Sequence, residues 1–159
     1  MKSFLVAVSF LSLSVLACNN ANQHEHEGQH DHGKDEKPLT LADSLYNEVM
    51  AAHDAVMPKM GKVRGAQKRA QELIDSISGL KGQDLKANQQ WKKELEQLVS
   101  DLNYADYAMD QWMTDFNMDS GSTNQEVRTK YLSDEKGRVT KVKEAILNSL
   151  AKADSLLKK

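Results

Sequence analysis

Trp91, Leu95, Leu98, Leu102, Ala105, Met109, Trp112 and Phe116 recur in an unbroken four-three alternation, the seam of a helix that packs against others along its length. A strand cannot carry that spacing, because its side chains change face at every residue. The same period runs after Pro38 through Leu45, Val49, Ala52, Val56, Met60, Val63, Ala66, Ala70, Leu73 and Ile77, with Thr40 and Asp43 reading as a helix start. It resumes after Thr123, which with Glu126 predicts a capping box, and continues through Val127, Tyr131, Arg138, Val142, Ile146, Leu150, Ala153 and Leu157. Residues 79–82 and 117–122 supply the turns. With only 2 Pro and 8 Gly in 159 residues, long helices with short connections are favoured over a β-sandwich. The expected fold class is all-α, an antiparallel, coiled-coil-like three-helix bundle over residues 39–159, with helices of about 30 to 38 residues.

The chain before the bundle divides in two. Lys2 supplies a positive start, and residues 4–16 form an apolar run broken only by Ser, too short to span a membrane stably and right for a signal peptide. The run closes on Leu16-Ala17-Cys18, which resembles the substrate of the bacterial lipoprotein signal peptidase. Small residues before the cut fit that peptidase, and the cysteine thiolate is the atom that receives the diacylglyceryl group. Residues 1–17 are therefore expected to be a cleaved signal, with Cys18 the lipidated N-terminus holding the chain to a membrane of the cell envelope, the outer membrane of a Gram-negative bacterium. A lone cysteine leaves no intramolecular disulfide framework and no Cys-cluster metal site.

Residues 18–38 read as a tether. Positions 19–37 contain no Leu, Ile, Val, Phe, Trp or Tyr, so they bury too little surface to offset their ordering entropy and are expected to be disordered. His24, His26, His30 and His32 fall there among Glu25, Glu27 and Asp31. Neutral imidazoles on such a chain suit Cu²⁺, Zn²⁺ or Ni²⁺, with the carboxylates offsetting the cation's charge. The alternative is a hydrophilic spacer.

Within the bundle, Met50, His53, Met57 and Met60 share one helix face. A first hairpin pivoting near residue 81 sets His53 against Met109, Met50 against Trp112 and Met57 against Ala105; a second pivoting near 120 brings Met109 and Met113 level with Tyr131 and Val127. Met50, His53, Met57, Met109 and Met113 would then form a thioether and imidazole set suited to Cu(I). Adaptable packing by methionine is the competing account. A haem held by His53 with Met109 or Met113 finds little room among three helices, and a di-iron site fails because Met50, not Glu, stands three residues before His53. Pro58, Gly61 and Gly137 mark the softest zone, with Pro58 kinking helix one.

Charge adds exclusions. Lys plus Arg total 21 against 23 Asp plus Glu, a net of −2, so nothing global recommends nucleic acid. Asp101, Asp106, Asp110, Asp115 and Asp119 read as a solvated face, and Lys59, Lys62, Arg64, Lys68 and Arg69 are expected to pair with Glu94, Glu96 and Asp101. No nucleophile or oxyanion set accompanies the carboxylates, so an enzyme is not expected.

The segment His53-Asp54-Ala55-Val56-Met57-Pro58-Lys59-Met60-Gly61 and the later Met109-Asp110-Gln111-Trp112-Met113-Thr114-Asp115-Phe116 resemble a family of small helical bacterial envelope lipoproteins that carries the label viral A-type inclusion protein. The resemblance covers most of residues 40–157 and implies a helical lipoprotein of unassigned activity. Two readings follow: an envelope lipoprotein binding Cu or Zn through its tether and Met/His cluster, or an interaction module that docks an envelope partner, with its apolar patch beside Pro58.

Overall fold

The computed structural model describes residues 39–158; the signal segment, Cys18 and the tether histidines His24, His26, His30 and His32 lie outside the described residues. The described chain is all-α, with α1 (Leu41–Asp54), α2 (Met60–Ser78), α3 (Gly82–Asp115) and α4 (Gln125–Leu156) packed against one another. Thr40 opens α1 as expected: its Oγ1 accepts from the Asp43 amide at 3.1 Å, and its own amide donates back to Asp43 Oδ2 at 2.9 Å. The opening of α4 differs. Asn124, not Thr123, is the cap, its Oδ1 accepting from the amides of Glu126 and Val127.

Helix one is broken rather than kinked. Pro58 has no amide hydrogen, and its ring crowds the carbonyl four residues back, which is that of Asp54, the last residue of α1. The chain tightens there: the Val56 amide bonds to the His53 carbonyl, Val56 leaves helical geometry at φ −121°, and Met57–Lys59 make a single 3-10 turn before α2 starts. The break changes partners as well as direction. Downstream of it α2 packs chiefly on α3, while α1 packs chiefly on α4.

Both hairpins have a different register from the one counted off the turns. Arg64 meets Asp106 and Gln67 meets Asn103, so α3 runs back along α2 with its first turns extending past the end of α2. Between α3 and α4, Trp112 meets Glu135 and Asp101 meets Lys152. That pivot lies beyond residue 120 because the 116–124 connection folds back over the first turns of α4. Arg128 donates to the Met118 and Ser120 carbonyls, and a Cβ on Gly121, whose φ is +69°, would lie 2.6 Å from the Arg128 amide nitrogen. Glu48 pairs with Lys136, placing Gly137 level with the middle of α1 rather than with Pro58.

The core runs along the α3 seam as expected, with Leu95, Leu98, Leu102, Ala105 and Met109 fully enclosed. The α4 seam is the expected one in part: Val142, Ile146 and Ala153 are buried, and Leu150 and Leu157 pack against the core. Its buried residues are Leu132, Glu135, Val139, Val142, Ile146, Ser149, Ala153 and Leu156, a regular three-four alternation with a carboxylate in it; Val127 and Arg138 lie outside. Among the described residues no helix is long and apolar enough to cross a membrane.

Candidate functional site

Among the described residues, two places gather chemistry. The first is the aromatic end of the bundle, where α1, the end of α3 and the start of α4 meet. The His53 ring lies 5.5 Å from that of Trp112, which stacks on Phe116 at 5.0 Å, and Phe116 in turn faces Tyr131 at 6.1 Å. The Tyr131 hydroxyl accepts from the Asn117 amide at 2.7 Å, tying the connection to the ladder. Trp112 Nε1 donates to Glu135 Oε2 at 2.9 Å, and the other carboxylate oxygen accepts from Arg138 Nη1 at 2.9 Å. Arg138 reaches on to Asp115 at 2.7 Å. Glu135, only 3% exposed, is thus a buried carboxylate with a donor on each oxygen, which is what makes its burial tolerable.

Hydrogen bonds from Arg138 and Gln111 hold the Asp115 carboxyl below its ordinary value, and Asp115 and Glu135 raise the guanidinium of Arg138. Farther along, burial pushes the Asp101 carboxyl up, but hydrogen bonds from Lys152 and Gln97 and the Lys152 charge outweigh it and leave the carboxyl low. The aspartate row of α3 is therefore an interhelical pairing face rather than a purely solvated one, and Arg64 pairs with Asp106 and Asp110 instead of the expected acids nearer the first turn.

The expected methionine and histidine set is spread over different depths at this end. Met109 is fully buried, Met50 is half-buried, and Met57 and Met113 are 37% and 38% exposed. The His53 ring faces that of Trp112, and its Nδ1 lies 2.8 Å from Asp54 Oδ1. Among the described residues no three His, Cys, Asp or Glu side chains converge as a metal-holding group.

The second place lies beside the break. Because α1 takes the neighbouring surface of α4 and α2 leans towards α3, a groove of about 520 Å³ opens between α2 and the last turns of α4. Ala66, Leu147, Leu150 and Leu157 give it apolar surface, and Lys59, Lys62 and Lys158 stand around it. Leu147 is 39% exposed. The interaction reading requires an apolar surface beside Pro58; among the described residues Lys59 and Lys62 stand without the interhelical ion pairs expected of them. Sequence counting missed Glu135 altogether, although its place between Leu132 and Val139 in the heptad is the signal that would have found it.

No protein-family model matches this chain, and no curated protein or solved structure matches it either.

Proposed function

We propose that this protein is a lipid-anchored lipoprotein of the cell envelope, attached through Cys18, whose helical bundle serves as a binding module with the α2–α4 groove as its site. The observation that carries the reading is the groove itself: a hollow open to solvent, with leucine and alanine side chains set among lysines, of the volume typical of small-molecule sites at roughly 300–1,000 Å³. The Leu16-Ala17-Cys18 pattern supports the anchor. The antiparallel bundle with a cleaved signal and a His-rich tether is the architecture that joins the two. The test is photolabelling of the full chain with an uncharged long-chain diazirine alcohol, mapped by mass spectrometry. Labels on residues 147–157 that vanish in Leu147→Lys support a binding site. Labelling that ignores the substitution removes the groove from the function.

Metal binding is the second reading, favoured by four histidines within nine residues of the tether, His24 to His32. Cu or Zn would bind there, and Cu(I) would add Met50, His53, Met57, Met109 and Met113 only if α1 shifts to bring them together. Met57→Leu with Met113→Leu should then abolish a Cu(I)-dependent rise in thermal midpoint. A rise that survives both swaps excludes the methionines.

A further inference from the structure

We propose that the α2–α4 groove binds a single-chain anionic amphiphile, a long-chain fatty acid anion, with its carboxylate at the Lys59 and Lys62 end and its tail along Leu150 and Leu157. The inference rests on the reading of the groove as the binding site and adds the chemistry of its occupant.

Polarity within the groove is the first argument. Since α2 and α4 both run opposite to α3, they run the same way, so Ala66 lies level with Leu147 and Leu150, and Lys59 and Lys62 lie beyond the Leu147 end of the α4 lining, away from Leu157. At the Leu147 end the lining, among the described residues, carries two cations and no acid. At the far end Lys158 shares its helix face with Asp154, four residues before it, so the two charges offset each other. The result is a hollow that is positive at one end, near neutral at the other, and apolar between. An amphiphile with one negative head matches that pattern, whereas a dipolar or cationic one does not.

The second argument is that these cations are uncommitted. Arg64, Lys136, Arg138 and Lys152 are all held by carboxylates of neighbouring helices. Among the described residues neither Lys59 nor Lys62 has an ion pair or a side-chain hydrogen bond, so a carboxylate arriving there displaces only water. Lysine stems also lie easily along apolar surface while their ammonium groups reach the rim, which suits a head group bound at the groove's lip.

Size is the third. The stretch from Leu147 to Lys158 is about 16 Å long at ~1.5 Å per residue. A peptide helix of that length, about 10 Å across, displaces roughly 1,200 Å³ and would sit over the groove rather than in it. The 520 Å³ available suits one slender chain.

A diazirine analogue of palmitate on the full chain tests this, beside the uncharged alcohol probe. The palmitate probe should label residues 147–157, unlabelled palmitate should compete it away, and Lys59→Gln with Lys62→Gln should cut its labelling at least fivefold while leaving the alcohol's labelling unchanged. Both lysines are exposed or rim residues without partners, so the variant keeps the fold. Equal labelling by both probes in the parent and the variant overturns the fatty acid anion and leaves the binding reading standing. Labelling by neither overturns both. Protection by phosphatidylglycerol vesicles but not by monomeric palmitate also overturns the proposal, in favour of a membrane surface; protection only by an acidic amphipathic helical peptide overturns it in favour of a protein partner.

Discussion

Removing the buried carboxylate of Glu135 and the indole donor of Trp112, singly and together, separates packing from hydrogen bonding at the aromatic end. Glu135→Ala strands the Trp112 N–H in an enclosed position, and an orphaned buried donor costs about 1–3 kcal/mol. Arg138 is not stranded with it, because its side chain is 46% exposed and keeps Asp115 at 2.7 Å. The lost side-chain methylenes add to the donor's cost, so the single variant should lose about 2–4 kcal/mol. Trp112→Phe leaves one buried oxygen of Glu135 without a donor and removes part of the ladder to His53 and Phe116, a loss of about 2–3 kcal/mol. In the double variant neither group remains to be orphaned. Its loss should therefore fall short of the sum of the singles by about 1.5–3 kcal/mol, the range for a hydrogen bond to a charged group. Urea unfolding followed by far-ultraviolet circular dichroism reads all three; with a slope of about 2 kcal/mol/M, the middle of the usual range of about 1–3, each single should lower the midpoint by roughly 1–2 M. Losses that add within about 0.5 kcal/mol would show that the Trp112–Glu135 bond contributes nothing beyond shape.

Cys18→Ser should leave the chain out of the membrane fraction or as uncleaved precursor, read by fractionation and intact mass; unchanged processing and partition end the anchor proposal. Gly121→Ala should destabilise by about 2 kcal/mol or more, since φ of +69° is unfavourable for an L side chain and the new Cβ would press on the Arg128 backbone; a midpoint within error of the parent contradicts the folded-back connection. The Asp101 carboxyl is held below its ordinary value of 3.8, so its contribution is complete above that value and is lost as pH falls through the lower folded value. Stability should therefore decline as pH falls below the ordinary carboxylate value, and Asp101→Asn should flatten that decline; an equally steep acid limb in the variant refutes the role of the Lys152 pair.

The α3 seam was legible because every position in it is apolar and no proline or glycine interrupts it. In α4 the same geometry was hidden, since Glu135 and Ser149 sit at enclosed positions and a carboxylate there reads as solvent-facing until its two donors are known. Those donors come from α3 and from the next turn of α4, so the signal is tertiary. Register failed for a related reason: counting outward from a turn assumes that the connection adds no length, and the 116–124 segment folds back along α4 instead of crossing directly. Pro58 was legible as a weak point. That the two sides of the break choose different partners was not, because a proline's effect on the backbone is local whereas the choice between α3 and α4 depends on the whole packing arrangement. The groove between α2 and the last turns of α4 depends on that choice, so its lining could not be read from the sequence.

The exchange of partners at the break also sets an order of assembly. Arg64 to Asp106 and Gln67 to Asn103 close loops of 42 and 36 residues, while Tyr46 reaches Met118 across 72. The closure entropy differs little, by about 0.6 kcal/mol for a doubling of length. The timing differs more: on a ribosome adding about 5–20 residues per second, α1 is made first yet waits roughly 4–15 s for the chain it docks on, by which time the α2–α3 hairpin can already close. The earliest helix is thus placed only after the α2–α3 hairpin. Until it arrives, Trp112 has no His53 over it, so the indole is fully covered only when α1 has docked.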